Sequence, residues 1–393
     1  MSTDAITEAL PADKKFQANR VVAITAGHAV HDTYTAFLPP LLPVFIETLS
    51  LTKTEAGFLT VFMQAPSLLQ PLIGHLADRV SLRYLVIIAP AVAGVAMSLL
   101  GVAPTYGGLA LLLLVAGLNS AVLHSVAPVM AGRLSGNKLG RGMGFWMVGG
   151  ELGRTLGPLI IGLSLQFLTL QRLPLLMVGG FVASALLFFR LKDVPGRPPA
   201  DGQALPWGRV LRAMGPFLLP LMGIVIVRAF MVVSLTTYLP VFLTDEGAEL
   251  WFAAISLAIL EAAGIAGALI GGGLSDRWGR RTIMAISLLV TPLLMFAFLA
   301  AGDWVRFPLL VLLGFASLSV TPVIMAMVQE SFPDNRALAN GIYMAFNFVF
   351  RSGVVIVLGL MGDRFGMSTA FAASAIITFL GLPLLLLLPG RQR

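Results

Sequence analysis

Apolar stretches of about 20 residues or more recur along the whole chain, separated by short polar breaks rich in Asp, Arg, Gly and Pro. A helix needs about 20 apolar residues to cross the hydrocarbon core of a bilayer. The pattern predicts twelve such spans: helices 1–6 over 20–46, 54–77, 83–103, 107–132, 140–168 and 171–191, and helices 7–12 over 213–243, 248–273, 281–301, 304–331, 336–361 and 367–388. The runs are too long for barrel strands and lack their period-two alternation. The first run is too long for the core of a signal peptide and eleven more follow it, so it counts as helix 1. Between helices 6 and 7, residues 192–212 hold four prolines and mixed charge, the composition of an exposed connector. The predicted organisation is a polar tail (1–19), a six-helix half (20–191), a linker (192–212), a second six-helix half (213–388) and a short tail (389–393).

Composition agrees that lipid is part of the solvent. Of 393 residues 57% are hydrophobic and 11% charged, against about a quarter charged in a soluble domain. The mean hydropathy is +0.90. The net charge of +7 sets topology instead of pointing to nucleic acid. With both tails and the linker in the cytoplasm, nineteen Lys and Arg fall on that side, four (Lys53, Arg172, Arg306, Arg364) on the other, and three inside spans. That asymmetry follows the positive-inside rule. The chain has no cysteine, which removes disulfides and thiol chemistry.

The halves echo each other. Gly-His-Leu-Ala-Asp78-Arg79-Val-Ser-Leu-Arg83 at 74–83 aligns with Gly-Gly-Leu-Ser-Asp276-Arg277-Trp-Gly-Arg-Arg281 at 272–281, a constant offset. Ser-Val-Ala-Pro at 125–128 echoes Ser-Val-Thr-Pro at 319–322, and Phe-Leu-Pro-Pro-Leu-Leu-Pro at 37–43 echoes Tyr-Leu-Pro-Val-Phe-Leu-Thr at 238–244. Same-direction repeats imply parallel halves with a site between them near the midplane. The loop motif, repeated between helices 2–3 and 8–9, resembles the signature of the major facilitator superfamily. Its first copy departs from the pattern at Ser81 and Leu82. The resemblance implies an all-α membrane protein of twelve transmembrane helices in two parallel six-helix repeats. It also implies a multi-pass monomer in a bacterial inner membrane, moving a small molecule by alternating access. By the same resemblance the loop motif gates the cytoplasmic side. Asp78 is expected to cap helix 11 near Asn335–Asn340 when that side is shut, with Arg79, Arg83, Asp276, Arg277 and Arg281 completing the two copies.

Two further segments narrow the expectation. On helix 5, Gly144, Gly153, Gly157 and Pro158 keep the spacing of the antiporter motif of proton-coupled drug exporters, with Ile161 where a Gly is usual. Small residues there let helices approach closely. On helix 1, His28-Ala-Val-His31-Asp32-Thr-Tyr34 leads into the Phe37 motif. That run resembles the fosmidomycin-resistance branch, associated with efflux of a small phosphonate antibiotic.

Ionisable residues inside spans cost at least about 2.5–3.5 kcal/mol at the bilayer centre and normally face a working cavity. Here they are His28, His31 and Asp32 on helix 1, His124 on helix 4, and Glu151 and Arg154 on helix 5. Arg228 on helix 7, Glu261 on helix 8 and Arg351 on helix 11 complete them. Glu151 and Arg154, three apart, share a helical face and are expected to pair. Burial favours the neutral form of a carboxyl and a nearby arginine the charged form. Asp32 and Glu151, with His28, His31 and Glu261, are therefore the expected proton carriers. Arg154, Arg228 and Arg351 grip phosphate or carboxylate through a planar fork. They are the expected anion contacts, with His124 and Tyr34 beside them. Protonating Glu151 would then free Arg154 for an anion, and substrate release with deprotonation would restore the pair.

Other readings fare less well. Multidrug or sugar-phosphate export fits the same charges. Metal-ion export could use His28, His31, Asp32 and His124. Against it, the helix 1 histidines share a face with Asp32 only in part, no thiol is present, and three arginines would repel a cation. No clustered nucleophile, cofactor motif or ATP-binding loop supports an enzyme or a primary pump.

Overall fold

The computed structural model describes residues 15–77, 80–136, 138–194, 207–332 and 336–388. Among them every regular element is helical, and they form twelve consecutive helical segments in the two predicted halves. Helix 4 (Tyr106–Leu134), helix 5 (Leu139–Phe167), helix 8 (Leu250–Trp278), helix 9 (Arg280–Ala300) and helix 11 (Arg336–Phe365) are continuous. The others contain breaks or tight turns. Helix 2 runs Lys53–Gln64, turns through a 3₁₀ stretch at Ala65–Leu69 and resumes at Gln70–Ala77. Helix 3 is Arg83–Ser98 with a 3₁₀ end, helix 6 is a 3₁₀ entry at Leu170–Leu176 followed by Met177–Leu191, helix 10 is Asp303–Leu318 and Val320–Ser331, and helix 12 begins as Met367–Phe379.

Helices 1 and 7 break at equivalent places. Helix 1 is Ala18–Thr35 followed by Leu38–Thr48, and Pro39 opens the second piece. Helix 7 is Trp207–Val233, a π-helical turn at Ser234–Tyr238, then Leu239–Asp245 with Pro240 in its first turn. Proline lacks the N–H that an uninterrupted helix would use, so the ladder must rearrange just before it. The weak repeat Phe-Leu-Pro/Tyr-Leu-Pro is a repeated break.

Ten of the segments are long and apolar enough to cross a membrane by length and composition; helices 1 and 5 are the two left out. These two carry His28, His31, Asp32, Glu151 and Arg154, and the polar residues lower their mean hydropathy. They survive as spans because they pack on each other through glycine. A Cβ on Gly149, Gly153 or Gly157 would lie 2.5–2.6 Å from the carbonyl oxygens of Thr25, Ala29 or Thr33 on helix 1. Small residues at four-residue spacing bring two backbones together where lipid offers no hydrophobic drive. Gly144 is not part of that stripe: it is exposed, and a Cβ there would meet nothing within 4 Å. Gly149 takes its place, because four-residue spacing from Gly153 leads there. Pro158 lies inside a helix that continues past it.

The apolar core is divided unevenly. One cluster draws on both halves, joining Phe37, Leu41 and Leu59 with Tyr238, Leu257 and Val355. A second, around Phe217, Met284 and Tyr343, lies within the second half, and a third, around Ile24, Leu123 and Trp146, within the first. The halves therefore pack together at the end holding residues 48–54 and 363. Toward the other end, among the described residues, each apolar cluster stays within one half, one reaching Val194 and the other Phe332.

Candidate functional site

Three groups of polar residues occupy the middle of the molecule. The first belongs to the N-terminal half. His31 Nδ1 is 2.8 Å from Asp32 Oδ1, and His28 Nε2 is 3.2 Å from Asp32 Oδ2, one helical turn earlier. Helix 4 brings His124, whose Nε2 is 3.2 Å from His28 Nε2 and 3.7 Å from Asp32 Oδ1. Helix 5 supplies Trp146, whose ring stacks on His28 with centroids 3.6 Å apart and whose carbonyl oxygen accepts from His28 Nδ1 at 3.0 Å. Helix 5 also supplies Gly150, where a Cβ would lie 2.7 Å from the His28 ring. His28, His31 and Asp32 are buried, whereas the His124 side chain is 33% exposed.

The second group joins the halves. Arg154 pairs with Glu151 one turn earlier on helix 5, as the spacing predicts, and its Nε is 3.8 Å from Glu261 Oε2 on helix 8. Its side chain remains 47% exposed, between the halves. Arg154 thus serves two carboxylates, one from each half, where the sequence suggested only the pair with Glu151.

The third group belongs to the C-terminal half and is basic. Arg228 donates to the Ser317 carbonyl and the Thr321 hydroxyl of helix 10, both at 2.9 Å, and Arg351 donates to the Thr236 hydroxyl at 2.8 Å. Among the described residues neither arginine has a carboxylate within salt-bridge distance, and the Nε of each is buried without a partner. Arg351 lies within electrostatic reach of Glu261, Arg154 and Arg228, which links the second and third groups.

Tyr34 leaves the predicted site. It is buried between helices 1 and 6, its hydroxyl donating to the Leu176 carbonyl, with Gly94 and Gly179 making room for the ring. It sits two residues past Asp32, which turns it to another face of helix 1, toward helix 6. Of the gating residues, Asp78 and Arg79 lie outside the described residues, as does Asn335 and the side chain of Asn340. Arg83 donates to the Val194 carbonyl and so ties helix 3 to the end of helix 6. Asp276 pairs with Arg280 at 2.7 Å, and Arg280 with Glu330 at 2.7 Å, all within the second half. Arg277 is exposed, and Arg281 is half-buried with its Nε unpartnered.

A contact between halves that the sequence did not suggest closes the opposite end. The Asp363 carboxylate of helix 11 accepts from the N–H of Lys53 at 2.7 Å and of Thr54 at 3.0 Å, and from the Thr54 hydroxyl. It caps helix 2 where free N–H groups and the helix dipole favour an anion. Lys53 also reaches Asp245 at 3.2 Å, and the Tyr238 hydroxyl sits between the Val355 and Lys53 carbonyls. Only the local part of this cap is legible in sequence: Thr52 and Glu55 form a capping box at the start of helix 2. Its partner 309 residues away is not.

The model of the Major Facilitator Superfamily matches residues 24–275 and 262–393. The fosmidomycin resistance protein of Escherichia coli (strain K12) is 26% identical over 387 residues, covering 94% of this chain and 93% of that one. An uncharacterised MFS-type transporter, YfnC, of Bacillus subtilis (strain 168) is 24% identical over 395 residues, with 95% and 93% covered. In fold, the chain is similar to a bacterial homologue of the human lysosomal transporter Spinster in an inward-facing, occupied conformation. The TM-score is 0.78 at 15% identity over 95% of this chain and 96% of that one. A D-xylose–proton symporter gives 0.74 at 18% identity, with 95% and 98% covered.

Proposed function

The chain belongs to the major facilitator superfamily and is a membrane transporter, not an enzyme; from that premise we propose that it exports a small anionic compound, phosphonate-like, from the cytoplasm in exchange for protons. The observation that carries this reading is the pair Arg228 and Arg351: two half-buried arginines, each with a buried and unpartnered Nε, that among the described residues donate only to neutral oxygens. An arginine placed inside a membrane protein without a carboxylate is costly unless an anion joins it. Its fork suits the oxygens of a phosphonate or carboxylate. The E. coli relative, a fosmidomycin resistance protein, supports the same substrate class.

Exchange follows from the bridge between the halves. With both carboxylates ionised, Arg154 holds helix 5 to helix 8 through Glu261, and the transporter rests open toward the linker side. That side is the cytoplasm by the distribution of Lys and Arg. Two events release the bridge: an anion that takes Arg154 from Glu261, or a proton on Glu261. Outward movement then occurs with substrate bound, and return occurs with a proton bound, since the unliganded, ionised bridge resists both. The cycle differs from a Glu151–Arg154 switch on helix 5 alone, because Glu261 ties the same arginine to the other half.

The test uses purified protein in liposomes. A panel of phosphonates, sugar phosphates, carboxylates and neutral sugars is screened for binding by thermal shift, and the best ligand is followed under an imposed pH gradient. Binding confined to anions, with gradient-driven movement that Glu261→Gln abolishes while binding persists, is the expected result. A neutral compound bound and moved as well as any anion would overturn the substrate class. Full gradient-driven export by Glu261→Gln would overturn the coupling.

A further inference from the structure

The arginine site does not use the histidine cluster of the first half, and hydrogen-bond accounting there leads to a different ligand. His28 Nδ1 lies 3.0 Å from the Trp146 carbonyl, and His124 Nδ1 lies 2.9 Å from the Ser120 carbonyl. A carbonyl oxygen only accepts, so both rings carry their proton on Nδ1. Both Nε2 atoms then present lone pairs when the rings are neutral. They face each other at 3.2 Å, with the Asp32 carboxylate 3.2 Å from one and 3.7 Å from the other. Three electron-pair donors at such separations repel unless a cation lies among them.

We propose that His28 Nε2, His124 Nε2 and the Asp32 carboxylate bind a divalent transition-metal ion of zinc-like character. Ligand atoms about 2.0–2.1 Å from a tetrahedral metal lie about 3.3 Å from one another, which these separations approach. Each donor has an outer partner of the kind that orients metal ligands: the Trp146 carbonyl for His28, the Ser120 carbonyl for His124, and His31 Nδ1 for Asp32 at 2.8 Å. Two imidazoles and a carboxylate favour zinc, cobalt or nickel over magnesium or calcium, which take oxygen ligands. A fourth position opens on the side where His124 is exposed, and Gly150 leaves room beside His28, since a Cβ there would lie 3.0 Å from Nε2.

Two of the three objections raised by the sequence lose their force, and the third, the missing thiol, weighs only against a soft, thiolate-bound metal. His31 is not a ligand but the partner of Asp32, so the imperfect face of helix 1 does not matter. Arg154, the arginine within electrostatic reach of Asp32 and His124, is already held by Glu151 and Glu261. A metal bound here would join helix 1 to helix 4 within one half, separate from Arg228 and Arg351.

Full-length transporter purified through a histidine-free tag is titrated with Co²⁺ and then Zn²⁺. The readouts are the visible d–d absorption of bound Co²⁺ and the fluorescence of Trp146, which the paramagnetic ion quenches at close range. The expected result is one Co²⁺ per chain, displaced by Zn²⁺, with quenching lost in Trp146→Phe. His124→Gln and His28→Asn should each weaken uptake at least about tenfold, the size of loss that even outer partners cause. His75→Gln, which leaves all three ligands in place, should not. If a ligand variant fails to fold, a rise in the melting temperature of the wild type with one equivalent of Zn²⁺ decides for the site. Absence of saturable one-to-one uptake by the wild type would overturn the proposal and leave a proton as the cation among the three donors. Uptake unchanged by His124→Gln would overturn it as well.

Discussion

A guanidinium in the middle of a membrane means different things according to what holds it. Arg154 has carboxylates on two helices, whereas Arg228 and Arg351 have a carbonyl and hydroxyls. Replacing arginine by lysine keeps the charge and loses the fork. Arg228→Lys and Arg351→Lys should therefore each weaken binding of the best anion about tenfold or more, the scale of a lost charge-assisted hydrogen bond of about 1.5–3 kcal/mol. Their melting temperatures should shift less than that of Arg154→Lys, which disturbs the link between halves. Calorimetry beside thermal unfolding checks this, and unchanged anion affinity in both variants would remove the anion site. Residue identities were legible because an ionisable group inside an apolar run stands out by its cost. The Glu151–Arg154 pair was legible too, from its spacing of three, but the links from helix 5 to helix 8 and from helix 7 to helix 10 were not, because packing that no local pattern encodes fixes them. Tyr34 illustrates the limit: it shares helix 1 with the histidines yet is spent on the Leu176 carbonyl.

At the level of elements, the helices of the described residues are consistent with the spans that hydropathy predicts, and the apolar signal is weakest for helices 1 and 5, which carry most of the polar residues of the first half. Helices 1 and 5 carry the polar residues and are held by a glycine stripe, so their stability lies in backbone approach more than in apolar burial. Side chains added to that stripe meet backbone and cannot be relieved by a rotamer change. Gly153→Val and Gly157→Val should destabilise the protein by about 1–3 kcal/mol, the usual cost of overpacking, and lower the yield of monodisperse protein. Gly144→Ala should change neither, since nothing lies within 4 Å of the Cβ it adds. Thermal unfolding in detergent reads both, and a destabilised Gly144→Ala with unaffected stripe variants would mean that helix 5 packs by a different face. The motif spacing alone could not separate Gly144 from Gly149, because that choice depends on which face of helix 5 meets helix 1. The paired proline breaks of helices 1 and 7 were legible as repeats, and their physical content, a missing N–H in each, is the same in both halves.

For the whole molecule, the uneven core means that the proposed export cycle must dissolve the packed end as the other end closes. The Asp363 cap on helix 2 is one of the contacts that must break. A lost cap costs about 0.5–2 kcal/mol, which changes a two-state ratio by roughly 2–30-fold when it acts on one state only. Asp363→Ala should therefore shift the population toward closure of the linker end without touching any residue of the polar site. The chain has no cysteine, so Val80→Cys and Trp278→Cys, exposed and equivalent in the two halves, can be spin-labelled without interference. The distance distribution between them should gain a shorter component in Asp363→Ala, while anion affinity measured in the opposite state falls by the same factor. An unchanged distribution would mean that the Lys53–Asp245 pair and the apolar contacts around Tyr238 hold the closed end by themselves. The Coulomb and packing terms there would then outweigh the cap, and the gate would be chiefly a hydrophobic seal.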